Sequence, residues 1–269
     1  MVIPVADDNP TRRTAVVTIA LVVLNIGVFL LGPLGLGSGE GPALQQACEQ
    51  RAYFEHWGAI PAELTTNEAS PTATGRAARD AVGRVGCLVI EPPYEKRPLL
   101  SALTAMFLHG GWLHLAGNML FLVVFGNNVE DRLGRLRYLL FYLGCGAAAT
   151  YAFAWSDPTS PTTLVGASGA IAGVLGAYLV LFPRVAVTTL VPFLLFLPLR
   201  LPAWAVLSVW FLIQWVYSNG TGITQTTGVA YLAHVAGFVA GAVIALLLPG
   251  GRERRADASQ RPRGPYGLP

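Results

Sequence analysis

The sequence predicts an all-α polytopic membrane protein with six transmembrane helices and both termini in the cytoplasm. Of its 269 residues, 53% are hydrophobic and only 12% are charged, whereas soluble globular domains carry about 25% charged residues. Several apolar segments reach the length of about 20 residues that a helix needs to cross a bilayer. The sequence has no basic stripe with interleaved aromatic residues, so nucleic acid is not an expected partner.

Six apolar segments are predicted to span the membrane: residues 14–32, 104–126, 136–155, 168–183, 203–218 and 228–248. The first follows Arg12 and Arg13, as a signal peptide would. Its apolar stretch is long for that role and no clear small-x-small cleavage site follows, so we interpret it as a span. A seventh candidate, residues 185–202, is broken by three prolines. We expect it to be an interfacial or loop segment.

The distribution of arginines orients these spans. Arginines occur in the loop between spans 2 and 3, between spans 4 and 5, and in both terminal segments, whereas the loops after spans 3 and 5 have no Lys or Arg. The positive-inside rule therefore places an N-terminal tail (1–13) and a basic, disordered C-terminal tail (250–269) in the cytoplasm. The membrane domain (14–249) then has a long extracytoplasmic first loop (33–100). We expect the protein in a bacterial plasma membrane.

The first loop contains two of the three cysteines. Cys48 and Cys87 lie on the side of the membrane where disulfides can form, but their spacing alone leaves both a disulfide and two free thiols open. Cys145 lies in a run of small residues in span 3 and is expected to be a core residue. Partly apolar stretches of the loop indicate that it folds against the bundle.

Polar residues at membrane depth form the candidate site. His114 and Asn118 are four residues apart in span 2 and share a helical face, Ser168 begins span 4, and His234 lies near the start of span 6. In the predicted topology these spans run inward from outside, which places both histidines and Asn118 roughly 6–12 Å below the outer surface. Span 4 is short, so Ser168 must lie at a similar depth. Polar groups at such depth are costly and mark function by default.

Small residues predict that spans 4 and 6 pack closely. Gly169 and Gly173 are four residues apart in span 4, while His234, Gly237 and Gly241 lie on one stripe of span 6. Small residues at such spacing let helix backbones approach each other. Close approach would bring the Ser168 hydroxyl within hydrogen-bond reach of the His234 imidazole.

This pair has the chemistry of a catalytic dyad. A serine hydroxyl becomes a nucleophile when a base takes its proton, and His234 is the candidate base at this depth. Spans 2, 4 and 6 contain no Asp or Glu, so the imidazole must be oriented by packing. His114 and Asn118 are suitable oxyanion donors, each worth roughly 2.7–4 kcal/mol in the transition state.

The stretches HGGWLHLAGN, EDRLG, GASGAIAG and AHVAGFVAG resemble, in order and spacing, the motifs of the rhomboid intramembrane serine proteases, over about residues 98–248. The resemblance implies a rhomboid-like six-helix bundle in which Ser168 is the nucleophile and His234 its base. It implies an oxyanion hole formed by His114, Asn118 and the backbone N–H of Ser168. The motif glycines are Gly166, Gly169, Gly237 and Gly241.

The resemblance also implies what the protein acts on. The expected activity is hydrolysis of a peptide bond in or near the transmembrane segment of single-span membrane proteins, within the lipid bilayer and without a metal or other cofactor. Several family members carry a tyrosine that stacks on the catalytic histidine, but the corresponding residue here is Ala172. That support must come from elsewhere or be absent.

Structural interpretations and other functions stay open. Ser168 could be a helix N-cap, His234 an interhelical hydrogen-bond donor, and the segment around Glu130 a loop that caps span 3. One alternative function is a catalytically inactive rhomboid-like protein that binds client spans. Another is a transporter, although transporters place polar groups near the bilayer midplane and these cluster toward one face.

Overall fold

The computed structural model describes residues 3–35, 42–80, 82–90, 96–191, 197–219 and 229–248. The helices in this part of the chain are α1 Val16–Leu31, α2 Ala43–Trp57, α3 Pro61–Thr66, α4 Pro98–Thr104, α5 Trp112–Leu133, α6 Arg135–Ser156, α7 Ser168–Leu181, α8 Ala203–Asn219 and α9 Tyr231–Leu247. The strands are β1 Ile3–Asp7, β2 Thr72–Arg79, β3 Val85–Ile90, β4 Ala186–Val191 and β5 Leu197–Pro202. The predicted C-terminal tail, 250–269, lies outside the described residues.

Each of the six predicted spans contains a helix, but the second span begins later than expected. Residues 98–107 form α4 and a short 3-10 turn, and α5 starts at Trp112. Gly110 and Gly111 lie between them, and paired glycines favour a break in a helix. Within the described residues, α5 and α6 are long and apolar enough to cross a membrane, while α1, α7 and α9 are shorter apolar helices.

The expectation of an all-α fold is wrong in one respect, because two small sheets accompany the helices. Strands β1, β4 and β5 form a three-stranded antiparallel sheet in the order β1-β4-β5. Residues 186–191 and 197–202, expected to belong to an interfacial or loop segment, are therefore paired strands. Buried and partly buried residues alternate along β4, as expected of a strand with one covered face. The prolines of β5 are tolerated because it is an edge strand.

The N-terminal segment 1–13 was expected to be a tail, yet residues 3–7 are part of that sheet. Ile3 pairs with Leu190 across the β1–β4 ladder. The Asp7 carboxylate accepts hydrogen bonds from the Tyr178 hydroxyl and the Asn128 amide, which ties β1 to α7 and α5. Strand β1 is thus bound to the same end of the bundle as β4 and β5.

Glu130 caps a different helix from the one expected. Its carboxylate, which is buried, accepts hydrogen bonds from the backbone N–H groups of Val17 and Thr18 at 3.0 and 2.7 Å. Val17 and Thr18 lie in the first turn of α1, where N–H groups have no partner inside their own helix. Glu130 therefore accepts hydrogen bonds from N–H groups in the first turn of α1 and does not cap α6.

The described residues of the first loop are folded, as predicted. Helix α2 packs on the β2–β3 hairpin, and a disulfide joins Cys48 to Cys87 with Cα atoms 5.3 Å apart. Backbone hydrogen bonds between Ala59 and Leu164, at 3.1 and 2.7 Å, connect this loop to the segment that precedes α7. The first loop thus fixes the chain just before Ser168.

Helix α7 lies at the centre of the bundle and packs most extensively against α9. Its residues from Ala170 to Tyr178 are all buried. A methyl group added at Gly241 would overlap the carbonyl oxygen of Gly173, and one added at Gly237 would overlap that of Gly169. The two helices therefore touch backbone to backbone, as the small-residue pattern predicted.

We predict that Gly241→Ala destabilises the fold, because the new methyl group must push α9 away from the backbone of α7. Overpacking of this kind costs about 1–3 kcal/mol, and unfolding of the purified protein in detergent measures it. Gly27→Ala on α1 is the matched control, since a methyl group there meets nothing within 4 Å. Equal stability of the two variants would contradict the backbone contact.

Candidate active site

The residues just before Ser168 are held in place by a backbone hydrogen bond and by the conformation of Gly166. The N–H of Gly166 donates to the carbonyl of Ala105 at 2.9 Å, and Gly166 adopts a φ of 122°, which favours glycine. Ala167 occupies the N-cap position of α7, and no side-chain hydrogen bond caps this helix. Ser168 is the first residue of α7, so its hydroxyl is not used as an N-cap.

The Ser168 hydroxyl is hydrogen-bonded to His234 instead. The distance from Ser168 Oγ to His234 Nε2 is 2.8 Å, across the close contact between α7 and α9. The other ring nitrogen, Nδ1, lies 2.8 Å from Oε1 of Gln214 on α8. Because an amide oxygen can only accept, Nδ1 carries the proton, and Nε2 accepts from the serine hydroxyl. This is the tautomer that a base for Ser168 requires.

Two aromatic rings contact His234, and neither belongs to α7. The Trp210 ring from α8 lies 6.0 Å from the imidazole with an interplanar angle of 34°, and Tyr231 approaches it edge-on at 6.4 Å. Ala172, where relatives can carry a stacking tyrosine, is fully buried in α7. Aromatic support for His234 therefore comes from α8 and α9.

His114 lies beside the segment that carries Ser168. Its Nδ1 accepts from the N–H of Gly110 at 3.3 Å, which leaves a proton on Nε2. A methyl group at Gly166 would lie 2.8 Å from His114 Nε2 and 3.6 Å from Ser168 Oγ. The imidazole N–H and the serine hydroxyl therefore flank the same small space.

Asn118 follows His114 by one turn of α5 and is buried at 9% exposure. Its Nδ2 has no hydrogen-bond partner among the described residues. Such a donor is costly unless another group binds it. The ring of His109 lies 5.1 Å from that of His114, and both of its nitrogens are also unpaired within the described part of the chain.

The four predicted motif glycines all lie where a side chain would not fit. Gly166 has the left-handed conformation described above, and Gly169 faces the Ala149 methyl of α6, which would be 2.7 Å from an added carbon. Gly237 and Gly241 contact the backbone of α7. In the described ranges, no three His, Cys, Asp or Glu side chains converge in a way that could hold a metal ion.

Sequence reasoning missed Gln214 and Trp210, which contact His234 from α8. The signal for Gln214 was present, since it is a polar residue inside the apolar run WFLIQWVY.

We predict that Gly166→Ala distorts the site, since the new methyl group requires an unfavourable φ and would press against His114 Nε2. The midpoint of thermal unfolding in detergent should fall. Gly110→Ala is the control, because a methyl group there would lie at an ordinary contact distance of 3.9 Å from the same imidazole. If both variants unfolded at the wild-type temperature, the strained conformation of Gly166 would be disproved.

Comparison with known proteins identifies the family of this chain. Residues 96–250 match a family model described as Rhomboid domain. The chain is 30% identical over 171 residues to Rhomboid protein 1, mitochondrial, of Saccharomyces cerevisiae, covering 60% of this chain and 46% of that protein.

Two further relatives are matched over shorter stretches. Rhomboid protease AarA of Providencia stuartii is 30% identical over 155 residues, which cover 53% of each chain. RHOMBOID-like protein 5 of Arabidopsis thaliana is 36% identical over 77 residues, which cover 29% of this chain and 25% of that protein. The matches thus span about a quarter to a half of these relatives. The chain belongs to the rhomboid family of polytopic helical membrane proteins, which includes intramembrane proteases.

Proposed function

We propose that this protein is an intramembrane serine endopeptidase with Ser168 as nucleophile and His234 as general base. The observation that carries the proposal is the 2.8 Å hydrogen bond from Ser168 Oγ to His234 Nε2, with the opposite ring nitrogen held by Gln214. A nucleophile bonded to a base that a third group orients is the arrangement expected of covalent catalysis.

The reaction follows from this geometry. His234 Nε2 takes the hydroxyl proton as Ser168 Oγ attacks the carbonyl carbon of the client, and the negative charge moves to the carbonyl oxygen. The imidazole then gives its proton to the leaving amine as the peptide bond breaks, which leaves an acyl-serine. Water, deprotonated by His234, hydrolyses this ester and restores the serine.

The negatively charged carbonyl oxygen of the intermediate needs hydrogen-bond donors, and the side chains of α5 beside Ser168 can supply them. We assign His114 Nε2–H and Asn118 Nδ2–H to it, together with the Ser168 N–H at the start of α7. The first N–H groups of a helix lack intrahelical partners and carry partial positive charge. The unpaired Nδ2 of Asn118 supports this assignment, since a transient negative oxygen would satisfy it.

We further propose the orientation of the protein in the membrane. The six helices α1 and α5–α9 span a bacterial plasma membrane with both termini in the cytoplasm, and the site opens to the extracytoplasmic side. The 14 residues of α7 measure about 21 Å, against a hydrocarbon core of about 30 Å, so Ser168 lies below the outer surface. The arginine distribution supports this orientation.

The clients proposed for this site are single-span membrane proteins in the lipid bilayer. A helix engages its carbonyl groups in hydrogen bonds, so the client must unwind locally before Ser168 can attack. Residues that weaken helices, such as Gly and Pro, are therefore expected near the cleaved bond.

Ser168→Ala is predicted to abolish covalent labelling by a fluorophosphonate probe and cleavage of a single-span reporter, because the nucleophile is removed. His234→Ala should abolish both as well, since α7, α8 and α9 offer no Asp, Glu or second His as a base. The nearby His114 already carries a proton on Nε2, the nitrogen beside Ser168, and so cannot accept another there. The labelling rate of the wild type should rise with pH as His234 becomes neutral. Ser156→Ala, at an exposed serine that ends α6, is the matched control and should behave as wild type. Labelling that persists in Ser168→Ala would refute the proposal.

Asn118→Ala is predicted to lower the rate of reporter cleavage by about 10²–10³-fold, the usual effect of losing one oxyanion donor. His114→Ala should resemble it and retain more activity than His234→Ala. Because Asn118 Nδ2 has no partner, its removal should not lower the midpoint of thermal unfolding. The control is Gly117→Ala, where a methyl group meets nothing within 4 Å. Unchanged cleavage by Asn118→Ala would exclude the assignment.

A further inference from the structure

We infer that Gln214 is a positioning residue that holds His234 in the tautomer able to deprotonate Ser168, and so takes the place of the carboxylate in a serine-protease triad. The inference rests on the proposed function. In that triad, an aspartate accepts from the histidine Nδ1–H and thereby fixes both the tautomer and the ring orientation. Here an uncharged amide on α8 makes the corresponding contact.

Each nitrogen of the His234 ring has its own hydrogen-bond partner. Gln214 Oε1 lies 2.8 Å from His234 Nδ1, and Ser168 Oγ lies 2.8 Å from Nε2 on the other side of the ring. An imidazole held at both nitrogens can neither rotate nor exchange its two neutral forms without losing a hydrogen bond. Gln214 is buried at 5% exposure, so water does not compete freely for its oxygen.

A second contact from the same face of α8 fixes the plane of the ring. Trp210 precedes Gln214 by one helical turn, and its ring lies 6.0 Å from the imidazole and 6.0 Å from the ring of Phe238. Phe238 in turn follows His234 by one turn on α9. Helix α8 thus supplies both a hydrogen bond and an aromatic neighbour to His234, which the alanine at position 172 of α7 cannot do.

An amide suits this depth better than a carboxylate. Helices α7, α8 and α9 contain no Asp, Glu, Lys or Arg, and an ionised carboxylate inside a bilayer is expensive. Gln214 provides an acceptor of the right geometry without adding a charge to the apolar surroundings. The chain therefore orients its base at a smaller desolvation cost than a triad would require.

The decisive experiment combines a spectroscopic and a kinetic measurement on the full-length protein in detergent. Nitrogen-15 NMR of histidine-labelled protein, at a pH where His234 is neutral, distinguishes Nδ1–H from Nε2–H imidazole. The chain has four histidines, so single substitutions of the others assign the His234 signals. Inactivation by a fluorophosphonate probe gives the maximal rate constant and the apparent affinity separately.

Three variants test whether the amide oxygen of Gln214 is the hydrogen-bond acceptor that positions His234. Gln214→Met keeps the length of the side chain but removes the amide oxygen, whereas Gln214→Glu restores an oxygen acceptor at the same reach. Leu212→Met places the same methionine on the exposed face of α8, where Leu212 is 57% exposed, and serves as control. We expect Gln214→Met to lower the maximal inactivation rate with unchanged affinity, by at most the roughly 10⁴-fold that the wrong histidine tautomer costs in a triad. Gln214→Glu should recover most of that loss.

The NMR spectra should show Nδ1–H at His234 in the wild type and a mixture of tautomers in Gln214→Met. Nε2–H in the wild type, or an unchanged tautomer in Gln214→Met, would overturn the inference. The first of these results needs only the wild-type protein, so it can overturn the inference even if a variant fails to fold. Absence of Ser168-dependent labelling in the wild type would instead refute the proposed protease activity, while the tautomer would still report on Gln214.

Discussion

The backbone contact between α7 and α9 is the constraint on which the rest of the site depends. Gly173 and Gly176 of α7 face Gly241 and Phe238 of α9 so closely that even a methyl group would not fit between them. A short serine side chain can reach an imidazole on another helix only when the helix axes approach in this way. The hydrogen bond between Ser168 and His234 therefore depends on this contact.

The polar groups of the site are neutral and come from different elements. Ser168, His234, Gln214 and Asn118 lie on four helices. The first loop and the 3-10 turn after α4 fix the segment before Ser168 through Leu164 and Gly166. Because the surroundings are apolar, a buried charge would be costly there, whereas a hydrogen-bonded neutral network is tolerated. Two carboxylates instead connect the N-terminal segment to the bundle, since Glu130 caps α1 and Asp7 accepts a hydrogen bond from Tyr178.

Residue patterns predicted much of this arrangement, and the misses have physical reasons. Glycine spacing predicted the α7–α9 contact, and shared depth predicted that Ser168 and His234 meet. The pairing of β1 with β4 was missed because the two strands are far apart in sequence, and pairing of distant segments has no local signal. The pairing of β4 with β5 was missed because three prolines in residues 185–202 argued against regular structure there. Gln214 was missed because a lone polar residue in an apolar helix does not reveal its partner. The role of Glu130 also depends on a contact across 112 residues.

A structure of the protein after reaction with a fluorophosphonate tests the central claim most directly, because the phosphorus centre mimics the tetrahedral intermediate. The account predicts a covalent bond to Ser168 Oγ, with the phosphoryl oxygen about 2.7–3.1 Å from His114 Nε2 and Asn118 Nδ2. His234 should remain hydrogen-bonded to Gln214 in that complex. A phosphoryl oxygen that points away from α5, or an adduct on another residue, would contradict the account.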